Sequence, residues 1–189
     1  MRELVEISEE IRKCRACNLS KFRKNPVPGS GGFRKKVLLI GEAPGFYEDL
    51  KGEPFVGAAG KFLDELLSIA GLRREDVFIT NVVKCRPPNN RRPTSQEIEK
   101  CKRFLDKQIE ILKPRVIITL GDVALNYMLK KLKLKRRSIS QIHGTPFNLL
   151  TYVWIPTYHP AAALHNPKKK EEILEDWKKI KLILEKNER

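Results

Sequence analysis

Four short apolar runs, each cut off by a turn and separated from the next by residues of helical periodicity, constrain this chain most. Lys36-Val-Leu-Leu-Ile-Gly41 reads as a buried strand closed by a glycine turn; Val77–Val83, Val116–Leu120 and Tyr152–Ile155 read as three more. Between the first two, Leu63, Leu66, Leu67 and Ala70 recur on one helical face, which Gly71 ends. Thr94-Ser95-Gln96-Glu97 has the spacing of a capping box, and Ile98, Cys101, Leu105 and Leu112 then share a face as far as Pro114. Ala124, Tyr127 and Met128 point inward from a helix after Gly121, and Ile173, Trp177, Ile180 and Leu184 define a last one. Glu3–Lys13 opens the chain as a helix, Asn25–Gly32 is a loop, and the basic Lys130–Arg137 is a solvated helix end or connector. Alternating strands and helices predict an α/β fold: a three-layer α/β/α sandwich around a central, mainly parallel four-stranded sheet. At 189 residues with no internal repeat, one domain over 1–189 is expected.

Ligands of such sheets bind beyond the carboxyl ends of the strands, and the unusual residues collect there. The first run leads into Gly41-Glu42-Ala43-Pro44-Gly45-Phe46-Tyr47-Glu48-Asp49 and then Pro54-Phe55-Val56-Gly57. The second ends in Thr80-Asn81-Val82-Val83-Lys84-Cys85-Arg86-Pro87-Pro88, and the fourth is followed by Tyr158-His159-Pro160-Ala161. A phosphate-binding P-loop does not fit the first stretch, which lacks Gly-Lys-Ser/Thr and carries acids that repel phosphate. A dinucleotide fingerprint fails on the spacing of Gly41 and Gly45.

Charge and cysteines narrow the class. With 38 basic and 23 acidic side chains the net charge is +15, which favours a polyanionic partner such as nucleic acid over a merely solvated lysine-rich surface. No apolar stretch is long enough to span a bilayer, and the N-terminus lacks the apolar run of a secretory signal, so a cytoplasmic location without membrane association is expected. In that setting Cys14, Cys17, Cys85 and Cys101 read as metal ligands rather than disulfides. Four thiolates suit zinc or an iron–sulfur cluster; the lone Cys-x-x-Cys pair fits zinc less well, since zinc sites more often use two. Abundant lysine beside only three glutamines hints at a thermophile.

Taken together, the Gly41–Gly45 loop with Glu48-Asp49, Phe55-Val56-Gly57, Thr80–Pro88, His159-Pro160-Ala161 and the cysteine pattern resemble the family 4 uracil-DNA glycosylases. That family is the iron–sulfur branch of the uracil-DNA glycosylase superfamily. The resemblance runs from about Cys14 through the last helix. It implies a monofunctional DNA-repair hydrolase that flips uracil out of single- or double-stranded DNA and cuts its N-glycosidic bond, leaving an abasic site. It further implies a [4Fe-4S] cluster on Cys14, Cys17, Cys85 and Cys101, and a monomer. Phe55 would stack on the base and Asn81 would read its edge. His159 would donate to O2 as charge builds there, and Glu48 would exclude the thymine methyl. Glu42 would orient water or stabilise the sugar cation, while the backbone at Ala43, where another branch carries an Asp, would hold base or water. Arg86, Arg91 and Arg92 would meet phosphates, and Leu164 would wedge into the vacated stack. Two competing readings, a non-catalytic nucleic-acid-binding module and a small-molecule nucleotide enzyme, predict loss of Asn81 or His159 and a phosphate lysine, respectively. Neither feature is found.

Overall fold

The computed structural model describes residues 2–187. Helices α1 (Arg2–Lys13) and α2 (Leu19–Phe22) precede strand β1 (Val37–Gly41), which is followed by α3 (Phe46–Lys51), α4 (Ala58–Ile69) and β2 (Val77–Asn81). Then come α5 (Ser95–Leu112), β3 (Val116–Leu120), α6 (Asp122–Lys131), α7 (Ile139–Ile142), β4 (Phe147–Asn148), β5 (Val153–Thr157) and α8 (Pro167–Asn187).

The strands form one sheet in the order β2-β1-β3-β5-β4. β2, β1, β3 and β5 are mutually parallel, and every residue of these four is buried. Burial on both faces explains why they read as continuous apolar runs rather than alternating ones. From β1 the chain steps one way to β2 and then crosses back to β3, so right-handed crossovers place α4 and α5 on opposite faces. Packing agrees: α8 rests on α4 and β5, α6 lies on β3 and β1, and α1 covers α5. The reversal leaves a crevice beyond the carboxyl ends of β1 and β3, the place where open α/β sheets bind ligands.

The expected four-stranded sheet has a fifth member. β4 pairs antiparallel with β5 through only Phe147 and Asn148, too short a run to register as a period. β5 also continues through Pro156, where a strand would be expected to stop. The missing N–H costs nothing there, because β4 has already ended and the Pro156 carbonyl accepts from Gly144 N at 2.8 Å. The capping box forms as read: Thr94 Oγ1 accepts from Glu97 N at 3.2 Å, and Glu97 Oε2 accepts from Thr94 N at 2.8 Å. No helix among the described residues is long and apolar enough to cross a membrane.

Candidate active site

Parallel register sets the first feature of the site by pairing Gly41, the last residue of β1, with Asn81, the last of β2. A Cβ at Gly41 would lie 2.4 Å from Asn81 Oδ1 and 2.8 Å from Phe55 Cζ. The bare backbone of Gly41 is therefore what admits the Asn81 amide and the Phe55 ring side by side. Asn81 is only 2 % exposed, and among the described residues its Oδ1 has no hydrogen-bond partner. A buried acceptor left unmatched carries a desolvation penalty of about 1–3 kcal/mol, which a ligand N–H would relieve.

Phe55 reaches this place through a strained backbone, with φ at 53°. Arg74 holds it there, donating to the carbonyls of Pro54 and Phe55, and Gly60 lets the Phe55 carbonyl press against α4, since a Cβ there would lie 1.9 Å from that oxygen. Across the cleft the Phe55 and His159 rings are nearly parallel, 26° apart in plane with centroids at 5.5 Å. His159 Nδ1 accepts from Ala161 N at 3.1 Å, so the proton of the neutral ring sits on Nε2. Burial pushes the imidazole down to about 4 against the pull of the Glu48 carboxylate, and the ring is a neutral donor at physiological pH.

Phe55, Asn81, His159, Glu42, Ala43 and Glu48 all line one cleft of about 500 Å³. Glu48 Oε1 accepts from Val56 N at 3.1 Å and Gly57 N at 3.2 Å, bracing the start of α4 while its side chain faces the cleft. Burial raises the Glu42 carboxyl above its ordinary value; the Arg92 guanidinium opposes this and the Asp122 carboxylate adds to it. A groove of similar size, about 550 Å³, runs between α5 and α6, but it contains none of the candidate site residues singled out from sequence.

The basic loop divides. Arg91 lines the cleft, yet both guanidinium nitrogens are clamped on Glu97 at 2.9 and 2.8 Å, and one also donates to the Arg92 carbonyl. The Arg92 guanidinium pairs with Asp122, at 3.3 Å, and its side chain is mostly exposed. Arg86 donates to Asn90 Oδ1 at 2.7 Å and sits over the Phe46 ring, 5.2 Å from its centroid. Leu164, at the end of the turn Pro160–Ala163, is 41 % exposed.

Sequence reasoning passed over several residues of this region. Phe46 and Tyr47 stand on the rim 52 % and 56 % exposed, an aromatic pair whose prominence in a glycine-rich loop was a usable signal. Asn90 lies on the same rim. Lys84 is the largest surprise. It is 1 % exposed, and its ammonium donates to Thr80 Oγ1 at 2.6 Å, the Asn81 carbonyl at 2.7 Å and Gln108 Oε1 at 2.7 Å.

The four cysteines, scattered over 87 positions of sequence from Cys14 to Cys101, surround one small cavity together with Arg23, Lys84 and Lys100. Polar hydrogens already face the sulfurs: Arg23 Nη1 donates to Cys85 Sγ at 3.0 Å, Lys84 N to Cys101 Sγ at 3.3 Å and Ala16 N to Cys14 Sγ at 3.5 Å. All four thiols are free, and among the described residues no three His, Cys, Asp or Glu side chains close on a single-ion site.

Comparison with known proteins gives this geometry a context. A model of the uracil DNA glycosylase superfamily matches residues 28–181. The chain is 50 % identical to a type-4 uracil-DNA glycosylase of Saccharolobus solfataricus over 94 % of its own length and 85 % of that protein's. It is 48 % identical to one of Archaeoglobus fulgidus over 95 % and 92 % of the two chains, and 46 % identical to one of Thermotoga maritima over 97 % and 96 %.

Proposed function

Because the chain belongs to the uracil DNA glycosylase superfamily, in its type-4 branch, we propose that this cleft receives a flipped uracil and breaks its bond to deoxyribose. The protein is a hydrolase of base-excision repair that cuts the N-glycosidic bond of uracil in DNA. The partnerless Asn81 Oδ1 in the cleft that Phe55 and His159 also line carries the assignment of residues. Uracil offers N3–H to that oxygen and O4 to the amide nitrogen, whereas cytosine presents the reverse pattern. Phe55 supplies the flat apolar wall on which the base lies.

Bond cleavage sends the electron pair of C1′–N1 into the base, which departs as its anion, while water forms the new bond at C1′ and releases its proton to solvent. His159 Nε2–H donates to O2 as negative charge gathers there, and needs no proton transfer to do so. Glu42, ionised, orients the water or faces the sugar cation, and the backbone at Ala43 holds base or water. Glu48 fills the space a C5 methyl would take, held against Val56 and Gly57 by its bonds to their N–H groups. Arg86 and Arg92 meet phosphates, Leu164 enters the gap in the stack, and Phe46 and Tyr47 offer faces to neighbouring bases of a single or double strand.

The cysteine cavity suits a [4Fe-4S] cluster: four thiols, N–H groups aimed at three of them and cations beside them are the donor set and surroundings such a group takes. When bound it would fix the loop between Cys85 and Cys101 to the N-terminal helix. Cys14, Cys17, Cys85 and Cys101 would hold it, and zinc is the alternative occupant. We place the protein in the cytoplasm as a monomer, its residues 1–189 serving as one domain.

Incubation with a uracil-containing oligonucleotide followed by hot alkali tests the activity, because alkali cuts the strand only where a base has been lost. Strand scission at uracil is expected; an intact strand after treatment with folded, metal-loaded protein refutes the reading. Four iron atoms per chain identify the cluster, and a single zinc refutes it.

A further inference from the structure

Lys84 contributes nothing to the cleft surface, and its burial is costly. A lysine in the interior is ordinarily matched by a carboxylate; Lys84 instead meets three neutral oxygens. One of them, the Asn81 carbonyl, belongs to the residue whose side chain faces the cleft. The other two are fixed independently: Thr80 Oγ1 and Gln108 Nε2 both bond the Pro28 carbonyl, at 2.9 and 2.7 Å. At its other end Lys84 is tied by its backbone N–H to Cys101 Sγ and by its carbonyl to Val27 N. The turn from Asn81 to Cys85 is thereby stapled upon itself.

We propose that Lys84 is a positioning residue that aims the Asn81 amide at the base. The Asn81 carbonyl lies at the end of β2, and the ammonium is its hydrogen-bond donor. Without that donor a buried carbonyl is left unmatched, and the peptide rotates to seek another partner. The side chain on that peptide then leaves its place beside Gly41. The thiol cavity and the cleft thus share one anchor, with Lys84 bonded to Cys101 on one side and Asn81 on the other. This inference rests on the reading of Asn81 given above.

A double-mutant cycle tests it, using single-turnover release of uracil by the metal-loaded protein and its Asn81→Ala, Lys84→Met and doubly substituted forms. Lys84→Met keeps the aliphatic stem and removes the donors. A displacement on the order of 1 Å lowers rates by about a hundred-fold, so each single variant is expected to lose roughly ten- to a hundred-fold. The double variant should then match Asn81→Ala alone, because an amide that is absent cannot be misaimed. Affinity of Lys84→Met for abasic-site DNA, which presents no base to Asn81, should stay within about two-fold of wild type, and a larger loss there overturns the proposal. Multiplicative losses, or a Lys84→Met protein as fast as wild type, overturn the proposal. If Lys84→Met does not fold, Gln108→Met goes through the same cycle. It removes one of the three oxygens and is expected to give a smaller loss that again vanishes in the Asn81→Ala background; additivity there also overturns the proposal. A wild-type protein that releases no uracil defeats both readings, whereas wild-type cleavage with additive losses defeats this one alone.

Discussion

Substituting Gly41 by Ala adds one methyl group at the point where the site is tightest. The new Cβ would stand 2.4 Å from Asn81 Oδ1 and 2.8 and 2.9 Å from two atoms of the Phe55 ring. Ordinary van der Waals contact needs about 3.5 Å or more, so the neighbours must retreat by roughly 1 Å. Gly41 pairs with β2 as a regular strand residue and has no left-handed φ, so the backbone itself accepts alanine. Overpacking of this kind destabilises by about 1–3 kcal/mol. That is a drop of several degrees in melting temperature for a chain of this size, at about 2–4 °C per kcal/mol. Catalysis should suffer more, because the retreat separates the base-reading amide from the stacking ring: a loss on the order of a hundred-fold in kcat/KM. Single-turnover alkali cleavage of a uracil oligonucleotide, beside a thermal melt of the same preparation, measures both. A Gly41→Ala protein that melts several degrees lower yet releases uracil at the wild-type rate would refute the claim that this contact shapes the pocket.

Four further outcomes follow from the same geometry. The acid limb of the pH–rate profile should lie above the ordinary carboxylate value of 4.5, since burial raises Glu42, and should vanish in Glu42→Gln; a limb near 6.5 that moves with His159 would contradict a neutral donor held to about 4. The same imidazole withdraws stability as pH falls from about 6.5 to about 4, because in that window only the unfolded chain takes up the proton, and melts of His159→Gln should show a shallower slope there. Arg92→Ala should weaken DNA binding and reduce the salt slope by about one, whereas Arg91→Ala should chiefly lower the melting temperature by loosening the cap of α5; equal salt slopes for the two variants would erase that distinction. Asn81→Asp should erode the preference for uracil over cytosine, and unaltered selectivity would remove Asn81 from the reading role.

Much of this arrangement was legible before any coordinates. The four parallel strands announce themselves because burial on both faces leaves no charged residue within them, and Thr94 and Glu97 mark the start of α5 by a local rule. Phe55, Asn81 and His159 were traceable through motifs at the strand ends, and they do line a single cleft. What escaped depends on three-dimensional neighbours. β4 is two residues long and exists only because β5 offers it an edge. Arg91 reads as a free cation in a basic loop, but folding delivers Glu97 to it. Lys84 stands in the Thr80–Pro88 motif with no role of its own until Thr80 of β2 and Gln108 of α5 receive its ammonium in the interior, and Gly41 reads as a turn residue when it is needed as empty space.

The locked peptide of Phe55 bears on what happens once the bond is broken. With Arg74 gripping its carbonyl and Gly60 pressed against it, the backbone that carries the ring is held in place. In the role proposed for Phe55, such a ready-made wall would catch the flipped nucleotide without reorganisation and would retain the excised heterocycle by the same contacts. Successive turnovers are then expected to be paced by departure rather than by chemistry: an initial burst should settle into a slower steady state, and added free uracil should compete for the vacancy.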